Sequence, residues 1–457
     1  MKLYIKSFGC QMNVADSEEM GGILLKEGFR LVEDIEKADA VLVNTCTVRQ
    51  NAENKAMSFV GELRKWKEKK PKRLIIVAGC AAENTKDWLR TRFPYVDLVV
   101  GAKSIEEFPG IIKKFVKGKT LSPSPCPLPS RERGKSRGEP HHCFVTISRG
   151  CNLKCSFCIV PAVRGRERYR SPKEILAEIK RKAAKGVREV TLLGQTVNSY
   201  RYVLGEYIKG TPRLNPLPQG GRKKEKSENE KLKVMDFADL LKEIGNINGI
   251  KWIRFMSPHP VFVTPKLIKT MAGSSKICKH IHLPMQSGSD KILKLMQRHY
   301  TREKFLEIVT RLKTAMPDIS ITTDIVVGFP FETETDFNDT IHMIKKCDFS
   351  AAYCFKFSAR PDTIAAELEK KSMIDQKTKD KRHKKTLELC RDIASVKAPN
   401  FLGRIEEVML DEEMSGHTDK NYIVRLTGET QNAERGDIRP VLIKSTKRRK
   451  LIGEVVA

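Results

Sequence analysis

The sequence predicts an α/β protein in three folded pieces: an N-terminal parallel α/β domain, a partial (β/α)6 barrel, and a small antiparallel β-barrel at the C-terminus. Three observations predict it. Strand-like and amphipathic helical stretches alternate from residue 2 to residue 360, the pattern of parallel sheets. Cys10, Cys46 and Cys80 each come just after one of the first strands. Beyond residue 400 the pattern changes to short strands punctuated by Gly416, Gly428 and Gly436.

In residues 1–116 the expected strands are Lys2–Phe8, Asp39–Asn44, Arg73–Ala78 and Val96–Val100, with helices near 15–28, 51–69 and 83–92. Loops at the carboxyl ends of strands form the ligand edge of an open α/β sheet. Cys10, Cys46 and Cys80 therefore converge at one edge, with small or turn-forming neighbours such as Gly9, Asn44 and Gly79. Three convergent thiolates suit an iron–sulfur cluster or zinc; the plain alternative is three buried small hydrophobes.

Residues 141–370 form the second piece. After a strand at Cys143–Ser148, the run Cys151-Asn-Leu-Lys-Cys155-Ser-Phe-Cys158 has the spacing C-x3-C-x2-C. Three cysteines in eight residues reach three corners of one cluster and leave an iron open; zinc would need a fourth ligand, and residues 159–170 contain no Cys or His. Further strands are expected at Glu189–Leu193, Lys251–Met256, His280–Pro284, Ser320–Val327 and Ala352–Phe357, with helices at 172–185, 236–246, 264–272, 289–297, 302–314 and 333–346. The six strand–helix units suit a barrel open on one side. Polar residues gather at the strand ends: Gln195, Asn198, Ser257, His259, Gln286, Ser287, Asp324 and Arg360. In barrel enzymes that rim carries the chemistry, and the position of Gln286 and Asp324 on it makes them cofactor-holding candidates.

A basic connecting helix is expected over 371–399, and the overlapping stretch 370–397 holds ten basic and four acidic residues. The module 400–457 has strands near 404–410, 421–427, 438–444 and 451–456. Its charge is zero by count, so any RNA affinity falls to a local patch at Lys444, Lys447, Arg448, Arg449 and Lys450. Two segments, 117–140 and 201–233, are rich in Pro, Gly, Ser and Lys, lack apolar periodicity, and are expected to be flexible insertions.

The whole chain of 457 residues carries a formal charge of +29, which points to a polyanionic partner, nucleic acid first. No uninterrupted apolar run is long enough to span a membrane, and the first residues lack a signal peptide's apolar core. A cytoplasmic, reducing location is expected, where 12 cysteines argue for metal or redox chemistry over disulfides.

The C-x3-C-x2-C run with Phe157 before its last cysteine resembles the radical S-adenosylmethionine superfamily. The likeness extends to Gly194-Gln-Thr-Val-Asn-Ser-Tyr200, Met256-Ser-Pro-His-Pro260, His282-Leu-Pro-Met-Gln-Ser-Gly-Ser-Asp290 and Val327-Gly-Phe-Pro-Phe-Glu-Thr333. Together with Cys10, Cys46 and Cys80 it resembles the methylthiotransferases, and Gly9-Cys-Gln-Met-Asn13 most resembles the branch acting on N6-isopentenyladenosine in tRNA. Phe331, Thr196 and Pro258 depart from the family pattern, Phe331 standing where Gly is usual.

The resemblance implies two [4Fe-4S] clusters, one on Cys151, Cys155 and Cys158 and a second on Cys10, Cys46 and Cys80. It implies S-adenosyl-L-methionine as cofactor, with Phe157, Gln286, Ser287 and Asp324 as candidate contacts. The implied reaction adds a methylthio group to carbon 2 of N6-isopentenyladenosine 37 in the tRNA anticodon loop. Implied partners are an electron donor of the flavodoxin or ferredoxin type and the iron–sulfur assembly machinery. Residues 400–457 resemble the RNA-binding TRAM domain. Alternatives are a methylthiotransferase of threonylcarbamoyladenosine 37 or of a ribosomal protein, and a non-catalytic, zinc-stabilised RNA-binding protein.

Overall fold

A computed structural model describes residues 1–118, 141–204, 233–412, 414–428 and 434–456. The chain divides into two compact units, the first made of residues 1–136 with 149–153 and 158–168, the second of the remainder. Cys126 and most of both expected insertions lie outside the described residues.

The first unit is built on a five-stranded, all-parallel sheet in the order Arg30–Leu31, Lys2–Ser7, Ala40–Thr45, Leu74–Gly79, Leu98–Gly101. The strands Ala40–Thr45 and Leu74–Gly79 are buried at every position, as expected of strands covered on both faces. Their alternation splits the core in two. Ala40, Leu42, Leu74 and Ile76 pack with Met20, Leu24, Phe108 and Ile112; Val41, Val43, Ile75 and Val77 pack with Val60, Leu63, Trp66 and Leu89. The helices Gln11–Lys26 and Phe108–Gly118 thus cover one face, and Gln50–Glu68 with Lys86–Arg92 the other. The helix Phe108–Gly118 and the two-residue strand Arg30–Leu31 were not legible as elements; the strand is too short and exposed to leave an alternation.

The second unit holds six parallel strands. His142–Thr146, Glu189–Leu193 and Trp252–Phe255 form one ladder, and His280–His282, Ser320–Val327 and Ala351–Lys356 another. The parallel bridge Ile253–Ile277 joins the two ladders, and among the described residues no pairing joins the first strand to the last. The result is the open (β/α)6 barrel the strand–helix alternation predicted. Its largest core lies between the strands and the outer helices, with Val190, Leu192, Ile253, Ile281, Ile321 and Ile325 on the strand side. The expected insertion 201–233 begins and ends in order: Arg201–Leu204 pairs antiparallel with Lys233–Asp236, Leu204 opposite Lys233.

The C-terminal barrel closes in the order Ile405–Glu412, Ser415–Thr418, Ile423–Leu426, Lys450–Val455, Ile438–Lys447. It is antiparallel except for one parallel pair, Ile423–Leu426 with Lys450–Val455. Gly416, read as a turn residue, sits inside a strand. A Cβ there would come within 2.2 Å of the Met409 carbonyl, so the glycine serves close backbone approach. The basic stretch is two helices, Ile364–Lys371 and Gln376–Lys397, the second capped by Asp375, whose side chain accepts from the Thr378 amide.

Candidate cluster and cofactor sites

Sheet order sets the first site. The chain leaves Lys2–Ser7 to form the strand on one side, then returns to form Ala40–Thr45 on the other. The crevice at such a reversal, at the carboxyl ends of the strands, is where open α/β sheets bind ligands. Cys10 follows the first strand, Cys46 follows Thr45, and Cys80 follows Gly79 at that same edge. Gly9 has a φ of +126°, and a Cβ on it would lie 2.6 Å from the Cys46 Cβ, so only glycine lets the Cys10 and Cys46 loops meet. Gly79, with a φ of +103°, makes the same approach to the Asn44 amide oxygen and the Thr45 carbonyl.

An amide lattice holds these loops. Asn13 Nδ2 donates to the Thr45 carbonyl at 2.8 Å, Asn44 Nδ2 donates to the Asn13 carbonyl at 2.7 Å, and Thr45 Oγ1 donates to the Ala78 carbonyl at 2.7 Å. Cys10 Sγ donates to Asn13 Oδ1 at 3.4 Å. Cys10 occupies the N-cap position of the helix Gln11–Lys26, with no hydrogen bond from its side chain to the first-turn amides. Burial pushes the Cys46 thiol up, with Cys10 adding to it. Burial pushes Cys80 up to about 11, against the pull of the Arg164 guanidinium. Cys46 thus feels Cys10, and Cys80 feels Cys46. Among the described residues no three His, Cys, Asp or Glu converge as the ligands of one ion would. Soft sulfur donors are of the type that iron–sulfur clusters and zinc both take.

The loop 151–158 carries the other three cysteines, all half-buried. The Cys151 amide donates to the Gly165 carbonyl at 3.1 Å, and its Sγ accepts from the Leu153 amide at 3.4 Å. Cys155 Sγ accepts from Arg298 Nη1 at 3.2 Å. Arg298 Nε donates to Tyr300 Oη at 3.3 Å, and that hydroxyl donates to the Met285 carbonyl at 2.9 Å. This relay ties Cys155 to the residue preceding Gln286. Neither Arg298 nor Tyr300 stood out in the sequence, because neither sits in a spaced motif.

The barrel rim is strained where the polar residues gather. Ser257, Gln286 and Phe331 all have left-handed backbone, with φ of 60°, 67° and 65°. Such outliers collect at functional sites. The Gln286 amide donates to the Asp324 carbonyl at 2.8 Å, and the Asp324 carboxylate lies 3.2 Å from His282 Nε2. Phe157 packs on Met296, Phe329 and Phe357. Ser287 is fully buried, its hydroxyl 3.3 Å from Thr340 Oγ1 and accepting from the Ser289 amide. Asn198 and His259 pair reciprocally through side-chain and backbone groups at 3.0 and 2.8 Å. His259 is buried, which pushes its pKa well below the usual imidazole value.

The basic candidates fall into exposed and paired groups. Lys447, Arg448 and Lys450 are exposed at the tip of the hairpin made by Ile438–Lys447 and Lys450–Val455. Lys444 is exposed but paired with Glu454. The Arg449 guanidinium turns inward over the Tyr422 ring, 5.3 Å from its centroid. On Gln376–Lys397, Lys379 pairs with Glu369 at 3.0 Å and Arg382 with Glu332 at 2.8 Å. Those two charges serve packing against the barrel.

Two family models match the chain: one described as uncharacterized protein family UPF0004 over residues 2–101, the other as the radical SAM superfamily over residues 145–344. The chain is 37% identical over 441 residues to the tRNA-2-methylthio-N(6)-dimethylallyladenosine synthase of Clostridium botulinum strain Hall, covering 95% of this chain and 90% of that protein. It is 39% identical to the protein of the same name from Caldicellulosiruptor saccharolyticus, over 94% of this chain and 84% of that one. The Thermoanaerobacter sp. protein of that name is 36% identical over 99% of this chain and 92% of its own length. A solved radical S-adenosylmethionine methyltransferase, TsrM from Kitasatospora setae, aligns with a TM-score of 0.52 at 12% identity over 77% of this chain and 72% of that chain. That last likeness is one of fold. Among the described residues no helix is long and apolar enough to cross a membrane.

Proposed function

Since this chain belongs to the radical S-adenosylmethionine methylthiotransferases, we propose that it adds a methylthio group to carbon 2 of N6-isopentenyladenosine 37 in tRNA. The observation that carries the reading is identity of 36–39% along nearly the whole chain to proteins named for that reaction. The family's cofactors are S-adenosyl-L-methionine and [4Fe-4S] clusters.

Cys151, Cys155 and Cys158 hold the cluster that binds S-adenosylmethionine, and Cys10, Cys46 and Cys80 hold the second. The cluster that Cys151, Cys155 and Cys158 would hold would supply one-electron reductive chemistry toward S-adenosylmethionine. The chain's own residues do the rest. Arg298 steadies the Cys155 sulfur. Gln286 and Asp324, locked to each other through the backbone, and Phe157 at the apolar wall orient the cofactor. The Asn13–Asn44–Thr45 lattice keeps the second set of thiols in register. Lys447, Arg448 and Lys450 meet the tRNA backbone, whose anticodon-loop bases are single-stranded and easier to splay out. A flavodoxin- or ferredoxin-type protein supplies electrons, and iron–sulfur assembly proteins load the sites.

Nucleoside analysis of tRNA from cells with and without the gene tests the reading. Loss of the 2-methylthio nucleoside with accumulation of N6-isopentenyladenosine is expected. Loss of the methylthio group from threonylcarbamoyladenosine, or from a ribosomal protein, would overturn the substrate.

A further inference from the structure

Two arginines and an aspartate are buried beside Cys80. Asp16 is fully buried, and the side chains of Arg149 and Arg164 are 8% and 4% exposed. One Asp16 oxygen pairs with Arg149 Nη1, and the other accepts from Arg164 Nη2 at 2.8 Å. Arg149 Nη2 goes on to Glu19 at 2.6 Å. Arg164 Nε donates to Cys80 Sγ at 3.2 Å.

Buried ion pairs are costly to desolvate, and well-packed apolar side chains often serve stability as well. Folding alone therefore gives little reason for this cluster. Its placement gives more. Asp16 lies six residues after Cys10, and Arg164 six residues after Cys158. Asp16 fixes one end of the Arg164 fork and thereby aims the other at sulfur. An Arg–sulfur bond of the same length occurs in the second unit, from Arg298 to Cys155. Hydrogen bonds and positive charge at ligand sulfurs withdraw electron density and favour the reduced state of an iron–sulfur cluster.

We infer that Arg164 is a positioning residue for the second cluster: its N–H bond to Cys80, aimed by Asp16, raises the reduction potential of the cluster that Cys80 holds. The inference rests on the proposal that Cys10, Cys46 and Cys80 bind that cluster. Arg149, bonded to Asp16 and Glu19, is the structural half of the pair.

The test uses the full chain with Cys151→Ala, Cys155→Ala and Cys158→Ala, reconstituted anaerobically so that one cluster remains. Iron content and an EPR-monitored redox titration are compared for that parent and for Arg164→Gln, Arg164→Lys and Arg149→Lys in it. Arg164→Gln is expected to shift the midpoint potential negative, Arg164→Lys to shift it less in the same direction, and Arg149→Lys to leave it in place. A parent without iron overturns the placement of the second cluster, and the inference with it. A loaded parent whose potential is unmoved by the Arg164 changes overturns the inference alone, as does an equal shift in Arg149→Lys. Should Arg164→Gln fail to load, Arg164→Lys decides: a potential equal to the parent's overturns the inference.

Discussion

At the scale of single residues, charge placement is where chemistry and folding meet. His417 sits between two carboxylates, with Nε2 2.8 Å from Glu189 and Nδ1 2.7 Å from Asp411, so both ring nitrogens must carry protons to satisfy them. Burial alone would lower its pKa, but Asp411 and Glu189 raise it from 6.5 to about 9. Burial likewise works against ionised Glu189, yet Arg254 and His417 hold it down at about 2. The His417 contribution is therefore complete below pH 6.5 and lost as pH rises through about 9. Thermal melts should show wild type losing about 3 kcal/mol between pH 6.5 and 9.5, with His417→Gln nearly flat over that range. Phe331 tells the opposite story. It holds a φ of 65°, which costs a bulky residue about 1 kcal/mol or more. Phe331→Gly should raise the melting temperature of the second unit by a few degrees, and a lowered one would show that the exposed ring has a packing role. The departure at Phe331 was legible in the sequence; the ionised His417 was not, because its carboxylates lie 228 and 6 residues away.

At the scale of elements, periodicity found most of what it was asked to find. Glu189–Leu193 and Ser320–Val327 fall at their expected bounds because both are rich in the β-branched residues that strands favour. Capping sharpened the helices: Thr333 and Asp336 form a reciprocal capping box at the start of Glu334–Cys347. What escaped were elements without such signals. Ser415–Thr418 reads Ser-Gly-His-Thr, turn chemistry by composition, yet it is a strand because a side chain at 416 has no room. Gly416→Ala should cost several kcal/mol and unfold the C-terminal barrel first, seen as early loss of amide protection in Ile405–Glu412. Retained protection there would mean the strand shifts to accept a methyl group.

At the scale of the whole molecule, two cysteine triads stand out by position, one by local spacing and one by recurrence after successive strands. The groups that touch these sulfurs and loops were not legible, because Arg164, Arg298 and Asn44 reach them only through tertiary contacts. The triads should separate by function. Changing Cys151, Cys155 and Cys158 to Ala should abolish cleavage of S-adenosylmethionine. Changing Cys10, Cys46 and Cys80 to Ala should leave 5′-deoxyadenosine formation in place while methylthiolated tRNA disappears. Loss of cleavage in both variants would break that separation. The reversal of strand order also governs the timing of biosynthesis. Lys2–Ser7 is made first but pairs on both sides with strands made later, and Cys80 waits on Leu74–Gly79. Parallel pairing is non-local and slow. The newborn chain therefore spends a period with three free thiols exposed, open to oxidation until the sheet is knit. On the proposed ligation by Cys10, Cys46 and Cys80, metal delivery would have to follow folding of the first hundred or so residues, and oxygen met before then would lower the yield of loadable protein.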